Sequence, residues 1–132
     1  IDGRGNDERF LNMIIGIGVD TVQLSRFEAK LAETPRLKER LFLDAELSDA
    51  SPQTLAGRFA AKEAVIKALA GESGIEWHGI EVGKEASGKP MIRLHGVTAK
   101  IALQAGIGKF HVSISHDGDN AVAFVVAEGV EQ

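Results

Sequence analysis

The chain has 132 residues, 44% of them hydrophobic and 26% charged, with a formal net charge of −4 and no cysteine. That length suits one domain, and the acidic balance excludes generic nucleic-acid binding, which needs a basic excess. Without cysteine there is no disulfide framework, thiolate metal site or thiol nucleophile, and no apolar run approaches the ~20 residues of a bilayer-spanning helix.

Ile1–Asn12 is polar and charged, carries no secretory pattern, and in Ile1-Asp2-Gly3-Arg4 resembles a protease-cleavage linker. It is expected to be a tag or disordered leader, with Met13 as the native start and residues 13–132 as a single domain. The lack of targeting signals fits a cytoplasmic protein. Ile14–Val22 is β-branched and bounded by turn or helix signals, so it predicts a buried strand. Gly16 and Gly18 lie two apart, on one side of that strand, and would let another backbone approach closely. Asp20 near its end is either a cap or turn residue, or a site residue held on a rigid element. The Gly-x-Gly here is an incomplete nucleotide-binding pattern.

Leu24–Ala32 has Leu24, Phe27 and Leu31 at helical spacing, with Arg26 and Lys30 on another face. Pro35 breaks it. Arg36–Phe42 predicts a second short helix carrying Arg36, Lys38 and Arg40, either a solvated surface or a docking face for an acidic partner. Asp44–Asp49 reads as an acidic turn or helix. Ser51-Pro52 then opens the longest helical pattern, roughly Gln53 to Ala70. On its wheel Leu55, Phe59, Ile66 and Leu69 form an apolar stripe, and Gly57, Ala60, Ala61, Ala64 and Ala68 an opposite stripe of small residues. Lys62 falls within the apolar stripe, where a lysine is costly unless it is paired or its head escapes to a cleft. Glu63 and Lys67 are one turn apart.

Gly71–Gly74 ends the helix. Trp77–Glu85 and Met91–Leu94 predict a hairpin, Val97–Ala105 a helix, and Phe110–Ser115 with Ala121–Ala127 a second hairpin around His116-Asp117-Gly118-Asp119-Asn120. The order β-α-α-α-β-β-α-β-β predicts an α+β fold with a mainly antiparallel sheet packed on a long central helix.

Asp20 and Glu63 form a pair of carboxylates suited to Mg²⁺, a hard ion that keeps water and shares substrate phosphate oxygens. Arg58, Lys62, Lys67 and Lys89 would then hold the phosphates. In His111-Val-Ser113-Ile-Ser115-His116 the polar groups other than His116 share one strand face. Ser115 and His116 therefore cannot form a nucleophile–base pair directly, and there is no Gly-x-Ser-x-Gly elbow, which disfavours a serine hydrolase.

Four segments resemble the holo-acyl-carrier-protein synthase family of 4′-phosphopantetheinyl transferases. They are Gly16-Ile-Gly-Val-Asp20 with Arg26 following, Arg58-Phe-Ala-Ala-Lys-Glu-Ala-Val-Ile-Lys67, Gly88-Lys-Pro90, and Val112-Ser-Ile-Ser-His116. They span nearly all of Met13–Ala127 in the family's order. The chain departs from the family at Phe42-Leu43, where Phe-Thr is usual. It departs again at Gly71-Glu-Ser-Gly74, where Glu72 adds a negative charge to a turn that resembles Gly-Thr-Gly elsewhere.

The resemblance implies transfer of the 4′-phosphopantetheine arm from coenzyme A to a serine of an acyl carrier protein, for fatty acid biosynthesis, with release of adenosine 3′,5′-bisphosphate. It further implies Asp20 and Glu63 as Mg²⁺ ligands, Glu63 (or a metal-bound water) as base, and Lys67 on the leaving phosphate. Arg58 and His116 would take the 3′-phosphate, with Lys62 and Ser115 beside the cofactor and Gly88, Lys89 and Pro90 lining the nucleotide pocket. Arg26, Arg36 and Arg40 would meet the carrier, in a homotrimer with sites at subunit interfaces. The alternatives are a non-catalytic coenzyme A-binding trimer and a metal-dependent phosphodiesterase.

Overall fold

The computed structural model describes residues 12–48 and 50–129. The expected leader falls outside these except for Asn12, whose N–H donates to the Gly129 carbonyl at 2.6 Å. In chain order the elements are β1 (Ile14–Gln23), α1 (Leu24–Glu33), α2 (Leu37–Leu41), α3 (Asp44–Leu47) and α4 (Pro52–Ala68). A 3₁₀ turn at Trp77–Gly79 precedes β2 (Ile80–Lys84), β3 (Pro90–Leu94), α5 (Gly96–Gln104), β4 (Lys109–Asp117) and β5 (Asn120–Glu128). The fold is α+β, with two antiparallel sheets in place of one: β1-β5-β4 and the hairpin β2-β3. Among the described residues no helix is long and apolar enough to cross a membrane.

The core is α4 lying across the inner face of the three-stranded sheet. Ala60, Ala61 and Ala64 of α4 meet Ala121, Ala123, Val125 and Ala127 of β5, all essentially buried. Small side chains on both sides let the layers approach closely. At Gly16 and Gly18 the approach leaves no space for any side chain. A Cβ on them would fall 2.1 Å from the Ala68 carbonyl oxygen and 1.8 Å from that of Ala64. The glycine pair of β1 therefore seats the helix backbone directly on the strand. Ser51 caps α4, its hydroxyl accepting from the Thr54 N–H at 3.1 Å, and Pro52 occupies the first turn.

Two local differences from expectation have simple causes. Trp77–Gly79 turns rather than extending, because the Thr98 hydroxyl takes the Glu76 N–H at 3.0 Å and sits where a Cβ on Gly79 would be. The second hairpin keeps its ladder to Asp117 and Asn120, so only Gly118-Asp119 turn, with Gly118 at φ +59. Glycine at the first central position is what a two-residue turn of this hand needs. That turn also caps α1, which has no cap of its own. Asp119 accepts the Leu24 N–H on its carbonyl, and the Ser25 N–H and hydroxyl on its carboxylate.

Candidate functional site

The register of the sheet determines what each strand residue faces. Asp20 pairs with Ala123, which pairs with Ile114; Val22 pairs with Ala121, which pairs with His116. Asp20 and His116 thus both face inward, toward α4, but from opposite edges of the sheet with β5 between them. On α4, Glu63 is five residues beyond Arg58, a rotation of ~140° around the helix. Glu63 falls on the β1 side and Arg58 on the β4 side.

On the β1 side lies a cavity of about 660 Å³ lined by Asp20, Glu63, Arg26, Lys30, Phe27, Phe59 and Trp77, among others. Its floor is an aromatic ladder: Phe27 stacks on Phe59 at 5.1 Å between centroids, and Phe59 meets Trp77 at 5.5 Å. Lys67 stands beside it, donating to the Val19 carbonyl and the Asp20 carboxylate, both at 3.0 Å. Burial lifts the Glu63 carboxyl above the usual glutamate range, and the Asp20 charge adds to that lift while Lys67 opposes it. A carboxylate so raised holds a proton more readily than an ordinary glutamate, which suits it to act as a base.

On the β4 side a smaller cavity, about 160 Å³, is lined by Thr54, Arg58, Val82, Gly83, Lys84, Gly88, Pro90, Ile114 and His116. The Arg58 guanidinium donates to the Glu46 carbonyl. The His116 Nε2 lies 2.9 Å from the Gln53 carbonyl. A carbonyl only accepts, so Nε2 carries the proton and Nδ1 is the nitrogen left to receive one. Gly57 makes room for this ring: a Cβ there would come within 3.1 Å of Nε2. Among the described residues none lines both cavities. A third cavity, about 950 Å³ between β3, α5 and β4, has a mainly apolar lining and includes neither Glu63 nor Arg58.

The expected residues distribute unevenly over this frame. Asp20, Glu63 and Arg26 share one cavity; Arg58, Gly88, Pro90 and His116 share the other. Lys89 directly precedes β3, its carbonyl accepting the Glu85 N–H at 2.8 Å, and it lines the 950 Å³ cavity. Arg36 and Arg40 are exposed on and beside α2, outside both cavities. Lys62 does not reach a cleft. It is fully buried, and its ammonium donates to the Glu46 carboxylate at 2.8 Å and to the Trp77 and Ile80 carbonyls at 2.9 and 2.6 Å. All three of its donors are used inside the core, so it has none to offer a cofactor. Ser115 also departs from expectation. It pairs with Val122 on the outer face of the sheet, opposite to His116, because neighbouring residues on a strand alternate. The Gly71–Gly74 turn lines neither cavity.

Lys84 and Trp77 were not singled out from sequence, and Lys30 was placed beside Arg26 on a helix face without being assigned to the site. The shared face of Arg26 and Lys30, one turn apart, does line one cavity; Lys84 and Trp77 reach their cavities only through the position of β2 and the turn before it. Among the described residues no group of three or more His, Asp or Glu could hold a metal, which leaves Asp20 and Glu63 as a two-carboxylate set.

Residues 16–125 match the family model of the 4′-phosphopantetheinyl transferase superfamily. The chain is 50% identical over 116 residues to the holo-[acyl-carrier-protein] synthase of Leifsonia xyli, covering 88% of this chain and 98% of that one. Its fold is similar to the crystal structure of the Neisseria meningitidis holo-[acyl-carrier-protein] synthase. There the TM-score is 0.79 at 34% identity, over 88% of this chain and 99% of that one. It is also similar to the Chronobacterium ammoniagenes synthase in complex with coenzyme A, with TM-score 0.75 and 32% identity over 86% and 96% of the two chains.

Proposed function

The chain belongs to the 4′-phosphopantetheinyl transferase superfamily, and we propose that the cavities on the two flanks of α4 are complementary halves of one coenzyme A site shared between subunits. Its reaction is transfer of the 4′-phosphopantetheine arm of coenzyme A to a serine of an apo acyl carrier protein. The observation that carries the shared-site reading is the split itself. Coenzyme A joins its diphosphate and its 3′-phosphate through one ribose, so the groups that grip them must face one molecule. In a single chain α4 stands between them, and among the described residues none lines both cavities. A closed threefold ring would set the Glu63 flank of one subunit against the Arg58 flank of the next. The outer sheet face offers apolar surface for such an assembly, with Ile17, Val19 and Phe124 roughly half exposed on it.

In the transfer, the serine oxygen bonds to the phosphorus that carries the pantetheine arm, and the phosphorus–oxygen bond to adenosine 3′,5′-bisphosphate breaks. Glu63 takes the serine proton. Lys67, held at the cavity by Asp20, stabilises charge on the leaving phosphate. Arg58, His116 and Lys84 hold the 3′-phosphate, and Gly88 and Pro90 line the nucleotide pocket. Arg26, with Arg36 and Arg40 further out, meets the acidic surface of the carrier, which we take to be that of fatty acid biosynthesis. Asp20 and Glu63 fit a Mg²⁺ ion, which takes few protein carboxylates and completes its shell with water and phosphate; when bound it would neutralise charge on the diphosphate.

The test is complementation. Glu63→Gln and Arg58→Ala variants, each with low activity alone, are refolded or coexpressed together and supplied with coenzyme A, Mg²⁺ and apo carrier. A carrier mass gain of about 340 Da, the arm by formula, reports transfer. A shared site restores activity to about a quarter of wild type, the statistical fraction of interfaces with both native halves. A site contained in one chain restores none.

A further inference from the structure

Glu46 and Lys62 form a fully buried ion pair, 1% and 0% exposed, that nothing in the transfer chemistry uses. It sits between the two cavities. The Glu46 carboxylate accepts the Leu43 N–H, the Lys62 ammonium and the Val82 N–H, each at 2.8 Å, while its own backbone carbonyl accepts the Arg58 guanidinium. Lys62 returns the tie by donating to the Trp77 and Ile80 carbonyls. The one-turn helix α3 is thereby held to β2 and α4 through a single residue. The Phe42 ring covers the ammonium at 5.5 Å.

Such a pair has little reason to exist for stability alone, because its desolvation cancels much of its attraction. What it does uniquely is geometric. Arg58 has a long, rotamer-rich side chain, and its guanidinium is anchored to a carbonyl whose position the pair determines. Val82, the other residue gripped by Glu46, is itself a wall of the Arg58 cavity. We propose that Glu46 is a positioning residue for 3′-phosphate recognition: paired with Lys62, it holds Arg58 and the β2 wall in the pose that receives the phosphate. The proposal rests on the reading of the Arg58–His116 cavity as the 3′-phosphate site.

The experiment compares kcat/KM for coenzyme A with that for 3′-dephospho-coenzyme A, in wild type, Glu46→Asp, Glu46→Leu/Lys62→Met and Arg58→Ala. Folding is checked by circular dichroism and melting. Glu46→Asp keeps both charges but withdraws the carboxylate by one methylene. It is expected to lower the preference for coenzyme A about threefold, through KM, with kcat within about twofold and the carrier KM unchanged. The apolar double variant is expected to lower the preference about tenfold. If the double variant does not fold, Glu46→Asp decides alone. A purely structural pair would change melting temperature and leave the preference at its wild-type value in the folded variants, which overturns the proposal. If Arg58→Ala leaves the preference untouched, the phosphate reading beneath it falls instead. Loss of preference in Arg58→Ala together with an unchanged preference in the Glu46 variants rejects only the positioning role.

Discussion

The two flanks of α4 solve opposite electrostatic problems with the same helix. On the β1 flank two carboxylates share a cavity, and burial together with the Asp20 charge makes ionised Glu63 costly. On the β4 flank Arg58 and Lys84 supply positive charge, and two donors are parked on backbone carbonyls, the Arg58 guanidinium on Glu46 and the His116 Nε2–H on Gln53. One flank is poised to take a proton and a cation, the other to take an anion. The difference teaches why a single helix can hold both sets of family residues without their neutralising each other. Arg58 and Glu63 face apart, so their ion pair never forms within the chain.

The largest effect expected is at Glu63. Glu63→Gln should cut kcat at least about a thousandfold, about 4 kcal/mol of barrier, with the fold intact. The same variant should not lose stability at neutral pH. A folded-state pKa raised above the ordinary 4.5 means that the native state binds the Glu63 proton more tightly than the unfolded one. The stabilisation is fully present below that ordinary value and is lost as pH rises through the folded one. Denaturant melts should therefore find the variant equal to wild type at acid pH and more stable above the window. A variant less stable at pH 7 would reverse the charge reading of this flank. Mg²⁺ supplies a second readout: the ion should raise the melting temperature of wild type and not of the variant.

Next comes the seat of the helix, which both flanks depend on. Gly18→Ala places a methyl 1.8 Å from the Ala64 carbonyl oxygen, contact that only backbone movement relieves. A loss of about 3 kcal/mol is expected in urea unfolding. A loss below about 0.5 kcal/mol would mean that β1 and α4 are not locked together. The β4 flank comes third. Arg58→Ala should raise the KM for coenzyme A ten- to hundredfold, about 1.4–2.8 kcal/mol, while leaving the carrier KM unchanged. An equal rise in both constants would mean that the flanks are not separate in role.

Much of this arrangement is legible in the sequence because it is local. The order of elements follows from periodicity, the Ser51-Pro52 start of α4 from cap chemistry, and the close approach at Gly16 and Gly18 from their spacing. The division between flanks was also within reach, since the helix wheel alone puts Arg58 and Glu63 on different faces. Listing both as parts of one site hid it. Ser115 and His116 are the same case on a strand. The fate of Lys62 is different. Its burial was anticipated as a cost, but the remedy is Glu46, 16 residues away on a one-turn helix. In Asp44–Asp49 that carboxylate has no local mark to distinguish it from Asp44. Only the packing of α3 against β2 selects it. Lys84 and Trp77 entered their cavities in the same way, through a tertiary placement that no local pattern encodes.

The smallest expected effect tests whether the β1 flank is also where the carrier arrives. Arg26 is exposed at the cavity rim, on a helix whose first turn is capped from outside by Asp119. Among the described residues its guanidinium has no ion-pair partner; a contact with a carboxylate of the carrier at such a rim, in water and salt, is worth only about 1 kcal/mol. Arg26→Ala should therefore raise the carrier KM about fivefold at low ionic strength, leave the coenzyme A KM unchanged, and lose its effect as salt screens the wild-type contact. Asp119→Ala offers a control that leaves the charge at position 26 in place. It removes the carboxylate that holds the Ser25 N–H and hydroxyl at the start of α1, while the backbone carbonyl keeps Leu24, and it should reproduce part of the carrier defect without its salt dependence. A salt-independent Arg26→Ala defect would mean that the arginine matters for the wall of the cavity rather than for docking. The carrier would then have to be steered by Arg36 and Arg40 alone.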